Sequence, residues 1–549
     1  MYICVEGCAH GDLENIYHII EKHENQMGKK IDLLICCGDF QATRNLEDLA
    51  CMAVPQKYLE MGSFYKYYSG QLIAPVLTIF IGGNHEASNH LQELAYGGWV
   101  APNIYYLGYA GVIKVNGIRI GGISGIYRDY LYSKGHFEFP PYDESSIRSV
   151  YAVRNLEVFR LKQMTSSKID IMLSHDWPQK IWEHGNRDKK FGFVEGLLRL
   201  KPAFKSDMDS GKLGSPPCME LLKVLKPRYW FAAHMHCRFD ALVQHNETEN
   251  TIFVALDKCL PHRNYLEFLE YGETVERDEN DQPIIELQYD EEWLTILSLT
   301  NKFLNCSSSF TKLPQELNAN QSFDNGSSLQ KQRWNYTPSQ DEIQAVVKRL
   351  NNDLTIKQSF MQTKNAFNPE WDKTDFRNLK QPEEICQNYQ TKEFCDRLNI
   401  DDPLYVSATL KNVKVISIDY NKSNDDAFKD YNDELEKTAS NEVQVSQSKK
   451  VNPLRLPKPL NEEEIDLDDL DDCDDNEIDC KNSESLSDSV LIQTAETTLV
   501  AQTEETHQKL SRPLDDKEEE SRENAVKQLT SANKKFKRRN QDIYAVSDD

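Results

Sequence analysis

Five groups of side chains within the first 240 or so residues have the composition of a metal centre: Cys8-Ala9-His10, Gly38-Asp39, Gly83-Asn84-His85-Glu86, Ser174-His175-Asp176 and His234-Met235-His236. Imidazole nitrogens, carboxylate oxygens, an amide oxygen and a thiolate are all metal ligands. No single group is specific, since His-x-His and Gly-Asp recur in chains that bind nothing. Their placement carries the signal, because each group directly follows a short apolar run. Residues 77–81 read as a buried strand that breaks at Gly82-Gly83. Glycines there let the backbone turn sharply and approach a ligand. The amide, imidazole and carboxylate that follow are costly to bury without partners.

The elements that must position these groups are strands alternating with helices. Strands are expected over residues 2–6, 31–37, 76–81, 105–109, 112–115, 118–123, 169–174, 229–233 and 251–256. Helices are expected over 13–23, 147–163 and 337–361. Helical or loop-helix segments fit 46–52, 57–69 and 89–94. Asn116-Gly117 is a hairpin turn between two apolar runs. This order predicts an α/β protein of two packed sheets flanked by helices, rather than a pure doubly wound sheet. All five groups then fall beyond the carboxyl ends of strands, where ligands bind in open α/β sheets. Residues 293–299 continue with apolar alternation, and 305–332, rich in Asn, Ser and Gln, read as a loop.

The five groups together resemble the calcineurin-like metallophosphoesterases, with their Asp-x-His, Gly-Asp, Gly-Asn-His-Glu/Asp, lone His and Gly-His-x-His pattern. The resemblance implies a four-layer α/β/β/α sandwich and two divalent metals. One metal would take Cys8, His10, Asp39 and His236, and the other Asp39, Asn84, His175 and His234. A metal-bound hydroxide would attack phosphorus, with His85 as the general acid and Asp39 and Asn84 in the catalytic set. Glu86 and Asp176 would orient imidazoles, or else cap the helical turns that follow them. Cys8 departs from the superfamily, which has Asp there. A thiolate is softer and favours Fe²⁺ or Zn²⁺, with Mn²⁺ as the alternative.

Longer runs narrow the likeness. Cys8-Ala9-His10, Gly38-Asp39-Phe40-Gln41-Ala42, Met61-Gly62-Ser63-Phe64-Tyr65-Lys66-Tyr67-Tyr68, Gly97-Gly98-Trp99-Val100-Ala101-Pro102 and Lys134-Gly135-His136-Phe137-Glu138 are similar to the RNA lariat debranching family. That resemblance runs to about residue 300, and more loosely to 372. It implies hydrolysis of the 2′,5′-phosphodiester at the branch of excised intron lariats, and it makes residues 124–158 a lariat recognition loop. The loop's own composition suits branched RNA. Tyr127, Tyr130 and Tyr132 could stack on splayed bases, and Arg128, Lys134, Arg148 and Arg154 could meet phosphates, with Arg44 and Tyr68 as further candidates. Two other readings keep the same residues: a metallophosphoesterase for another phosphoester, and a scaffold of that fold without catalysis. The second would ordinarily have lost a ligand or the acid, and none is lost here.

The 549 residues exceed one ordinary core. Domains are expected at 1–270 (catalytic), 271–372 (a smaller C-terminal domain) and 373–549 (a largely disordered acidic tail). Residues 1–270 hold 29 Lys and Arg against 31 Asp and Glu, whereas the whole chain holds 63 against 88. The acidity therefore belongs to the C-terminal half and does not oppose an anionic substrate at the site. Residues 462–479 contain twelve acidic residues and no Lys or Arg, a block that repels itself and stays solvated. The basic cluster at 534–539 reads as a nuclear localisation signal, or else as a weak RNA-contacting patch or solvated charge. A nuclear protein with possible shuttling to the cytoplasm is expected, and the tail could recruit spliceosome- or intron-associated proteins. Thirteen scattered cysteines argue against a disulfide framework and for a reducing compartment. No membrane span or leader is expected, and the expected state is a monomer.

Overall fold

The computed structural model describes residues 1–279, 283–314, 333–372 and 376–417. Strands β1 (Tyr2–Glu6), β2 (Leu33–Cys36), β3 (Leu77–Phe80), β4 (Gly98–Ala101) and β5 (Ile104–Tyr106) lie in one sheet. Strands β6 (Ala110–Val115), β7 (Ile118–Ile123), β8 (Ile171–Ser174), β9 (Tyr229–Ala232), β10 (Phe239–Gln244) and β11 (Asn250–Ala255) lie in the other. β12 (Leu266–Glu270) returns to the first sheet and β13 (Leu287–Tyr289) joins the second. The orders are β12-β1-β2-β3-β5-β4 and β10-β11-β9-β8-β7-β6-β13. β1, β2, β3 and β5 run parallel, as do β7, β8, β9 and β11, and antiparallel strands close the edges.

Burial on both faces explains the near-continuous apolar strands. In β1, Ile3 and Val5 point inward, where they meet Leu33, Ile35 and Ile79 of their own sheet and Ile120, Ile171, Leu173 and Phe231 of the other. Tyr2 and Cys4 point outward, onto Leu13, Ile16, Tyr17 and Ile20 of the helix Leu13–Met27. That spacing makes one apolar helical stripe. The outer face of the second sheet is covered by Asn155–Lys162, Pro216–Leu225 and Glu291–Thr300. Four layers result, as the resemblance implies. The five chemical groups follow β1, β2, β3, β8 and β9, so every one hangs from the parallel centre of a sheet.

Three expectations are corrected. Residues 293–299 form no alternating strand but the helix Glu291–Thr300. The Asp290 carboxylate caps it by accepting from the Trp293 amide at 3.0 Å, and Trp293, Leu294, Ile296 and Leu297 share the buried side. The helix sought over 337–361 is Gln340–Arg349, opened by a capping box between Ser339 and Glu342. Asn351 and Asn352, both at φ 58°, turn the chain out of it. Third, order does not thin at 372. β14 (Ile385–Gln387) pairs in parallel with β15 (Val415–Ser417), and the helices Tyr389–Leu398 and Pro403–Leu410 lie between them. The acidic run at 462–479 and the basic cluster at 534–539 lie outside the described residues.

Candidate metal centre

Cys8, His10, Asp39 and His236 each offer a ligand atom, and these atoms lie within 4.8 Å of one another. His10 Nε2 is 3.2 Å from His236 Nε2 and 3.9 Å from Asp39 Oδ2. On the other side of the carboxylate, His175 Nε2 stands 3.3 Å from Asp39 Oδ1 and 3.1 Å from Asn84 Oδ1. The His234 and His175 ring centroids are 5.0 Å apart. Asp39 thus turns one oxygen to each half of the ligand set.

The backbone is bent to achieve this. His10, Asp39, His234 and His236 all have left-handed φ angles, 42°, 47°, 62° and 46°, a conformation that non-glycine residues rarely hold and that clusters at functional sites. Two glycines make room. A Cβ at Gly83 would sit 2.2 Å from Asp39 Oδ1, and one at Gly38 would sit 2.3 Å from His175 Nδ1.

Hydrogen bonds fix the donors. His175 Nδ1–H donates to the Cys37 carbonyl at 2.8 Å, which leaves Nε2 pointing at Asp39 and Asn84 and sets the tautomer a metal ligand needs. The His234 amide donates to Cys8 Sγ at 3.2 Å, a contact that favours thiolate. The His85 amide donates to Asp39 Oδ1 at 2.8 Å.

Charge concentrates here. Burial pushes the Asp39 carboxyl up, but the His175 and His85 imidazoles more than reverse this and hold it well below the usual carboxylate range. Burial would lower His175, yet Asp39 and the Cys37 carbonyl lift it to about 9. Asp39 Oδ2 is buried without a hydrogen-bond partner, a costly arrangement in a polar atom. A carboxylate with an orphaned oxygen, ringed by imidazoles, a thiol and an amide, fits divalent cations.

Glu86 does something other than orient an imidazole. Its carboxylate accepts from the amides of Phe40 (2.8 Å), Gln41 (2.9 Å) and Gly83 (2.8 Å), tying the loop after β2 to the loop after β3. Burial, and then the nearby Asp39, raise it to about 7. Asp176 accepts from the Trp177 and Tyr127 amides, and the His234 imidazole acts on its charge.

Three of the RNA-contact candidates are withdrawn because they are buried in structural roles. Arg44 is fully buried and paired with Asp48 and Glu93. Arg154 is buried on Glu138 at 2.5 Å. The Tyr68 hydroxyl accepts from the amides of Thr363 and Lys364. Tyr127, Arg128, Tyr132 and Lys134 are half-buried, while Tyr130 and Arg148 are exposed. Sequence reasoning passed over His136, which stacks on Tyr109 (centroids 4.3 Å apart) and reaches Glu157 at 3.2 Å, anchoring the base of the loop. Its only sequence signal was its place in the Lys-Gly-His-Phe run.

A family model described as calcineurin-like phosphoesterase matches residues 1–238, and one described as the C-terminal domain of lariat debranching enzyme matches residues 248–403. The lariat debranching enzyme of Drosophila melanogaster is 49% identical over 445 residues, covering 74% of this chain and 78% of the relative. The chain belongs to the lariat debranching enzyme family. The Homo sapiens lariat debranching enzyme is 48% identical, with 73% of this chain and 70% of the relative covered. Lariat debranching enzyme A of Xenopus laevis is 40% identical over essentially the full length of both. A debranching-family chain with this phosphoesterase domain is a metallophosphoesterase hydrolase that uses divalent ions. Among the described residues no helix is long and apolar enough to cross a membrane.

Proposed function

We propose that this chain hydrolyses the 2′,5′-phosphodiester at the branch of lariat RNA, releasing linear RNA. The observation that carries the reading is the convergence of Cys8, His10, Asp39 and His236 in a chain of the debranching family. In this reading His10, Cys8, His236 and Asp39 hold one cation, and Asp39, Asn84, His175 and His234 hold the second. Divalent ions bound there supply Lewis-acid polarisation of the phosphoryl oxygens and a water of lowered pKa. Asp39 keeps both ligand groups in register through its two oxygens. His85, 5% exposed and with its ring centroid 5.6 Å from that of His10, delivers a proton to the departing 2′ oxygen. The Cys8 thiolate favours Fe²⁺ or Zn²⁺ over Mn²⁺ in the first site. Nuclear residence, where intron lariats arise, follows from the substrate, and protein partners would be met through the tail.

The test compares a synthetic 2′,5′-branched RNA with linear 3′,5′ RNA and a phosphopeptide, using metal-loaded protein. Cleavage confined to the branch is expected, and an intact branch would end the proposal. His85→Ala is expected to lower kcat by about 10²-fold or more with bound metal retained. An unchanged kcat would remove His85 as the acid.

A further inference from the structure

One segment beyond the phosphoesterase match lies along the recognition loop. Residues 305–311 run beside Ser133, Lys134, Gly135 and His136, with Phe310 directly opposite Lys134 in an antiparallel bridge. The Thr311 amide donates to the Ser133 carbonyl at 2.7 Å, Gly135 to Ser307 at 3.1 Å and His136 to Asn305 at 2.9 Å. The close approach is written into the sequence, because a Cβ at Gly135 would sit 2.2 Å from the Asn305 carbonyl oxygen. Cys306 and Thr311 are buried and pin the two ends. Between them Ser307, Ser308, Ser309 and Phe310 are exposed, and Phe310 is 75% exposed.

Residues directly opposite in an antiparallel pair project from the same face, with Cβ atoms about 5 Å apart. Phe310 therefore shares a face with the Lys134 side chain. The Lys134 ammonium lies 5.9 Å from the ring centroid of Tyr130, itself 66% exposed. Tyr130 sits three residues beyond Tyr127, whose amide donates to Asp176, the neighbour of His175. Aromatic rings and a cation thus lead from the rim of the metal centre outward, and Lys312 is exposed just past Phe310. Within residues 127–134 and 305–312 the one carboxylate is Asp129, and the Tyr127 hydroxyl donates to it at 2.9 Å.

We propose that Tyr130, Lys134 and Phe310 form a stacking platform for unpaired nucleotides of an RNA arm leaving the branch. Any base presents a flat π-face to such rings, and a lysine between them meets the phosphate. Two exposed rings with a lysine beside one of them suit a polyanion whose bases are splayed, because the rings take the bases and the cation takes the phosphate. The platform rests on the reading of the substrate as branched RNA. It deepens that reading by assigning substrate contact to a residue of the C-terminal part.

The experiment measures steady-state cleavage of two branched RNAs by the full-length, metal-loaded protein. One RNA has single-nucleotide arms and the other has long unstructured arms. The wild type is expected to show a lower KM for the long-armed RNA. In Phe310→Ala that advantage should shrink about tenfold, and Phe310→Trp, which keeps a ring, should retain it. Lys134→Gln should also reduce it, and should flatten its dependence on salt. The melting temperature of Phe310→Ala reports that the fold is kept. An advantage undiminished in Phe310→Ala would overturn the platform and leave Phe310 to a protein contact. Failure of the wild type to cleave either RNA would overturn the platform together with the substrate reading.

Discussion

At the scale of the residue, the informative substitution is the thiol at position 8. Cys8 is fully buried, receives the His234 amide and shares a ligand cluster with His10, Asp39 and His236. Every other donor in that cluster is an oxygen or an imidazole, so sulfur sets the softness of the site. Cys8→Asp is expected to move metal preference towards Mn²⁺, read as bound metal by mass spectrometry after loading with an equimolar mixture, and to slow inactivation by peroxide. Equal metal content in the two proteins would contradict it. The convergence of Cys8, His10, Asp39 and His236 was legible in the sequence because their types are those of metal ligands and each follows an apolar run. The structural roles of Arg44, Arg154 and Tyr68 were not. A cation in a sequence string looks the same whether it faces a phosphate or a buried carboxylate, and Arg44 and Arg154 turned out to face carboxylates.

At the scale of the element, that buried Arg44 organises the loop behind Asp39. Asp48 binds its Nε at 2.7 Å, Glu93 binds the guanidinium at 2.8 Å, and Asn89 donates to the same Asp48 carboxylate at 2.7 Å. His90, on the helix Ser88–Gln92, completes the cluster by donating Nδ1–H to the Ala42 carbonyl at 2.8 Å. Burial, and then the Arg44 charge, lower His90 to about 3. The unfolded chain, with an ordinary histidine near 6.5, therefore binds a proton that the native state refuses. The stability this confers is complete above about pH 6.5 and is lost as pH falls towards 3, by up to about 1.4 kcal/mol per pH unit. Urea unfolding at several pH values should show this slope, reduced by one proton in His90→Gln; an identical slope would place the titration elsewhere. The inner strands β1, β2, β3, β5, β6, β7, β8, β9 and β11 were readable because they are short apolar runs buried largely on both faces, whereas the four edge strands β4, β10, β12 and β13 had no counterpart in the sequence reading. The helix Glu291–Thr300 was not readable either, because buried residues surround most of it and mask its period. What identifies it is local: Asp290 at the cap and two glutamates in the first turn.

At the scale of the whole molecule, the boundary of the folded chain was the least legible feature. From residue 373 onward composition turns polar, and the helices beyond are short and held by contacts far away in sequence. The Tyr96 hydroxyl donates to the Asp401 carbonyl at 2.8 Å, Gln390 exchanges hydrogen bonds of 2.9 Å with both the amide and the carbonyl of Trp99, and Thr391 reaches the Glu93 carbonyl at 2.6 Å. Cys395, Leu398 and Ile400 join the same core as Trp293 and Leu297. None of these pairings leaves a periodic mark in the sequence. Truncation should expose the difference. A chain ending at residue 417 is expected to keep the melting temperature and the branch-cleaving activity of the full protein. A chain ending at 372 removes the helices Tyr389–Leu398 and Pro403–Leu410 and uncovers the core residues they bury. It also leaves the buried Glu93 region without the Thr391 contact. Loss of several degrees in melting temperature is expected, since about 1 kcal/mol shifts a large domain by 2–4 °C and several buried apolar side chains are worth more than that. Thermal melts and cleavage assays of the two truncations side by side decide the matter. If the chain ending at 372 melts with the full protein, residues 376–417 decorate the fold rather than complete it.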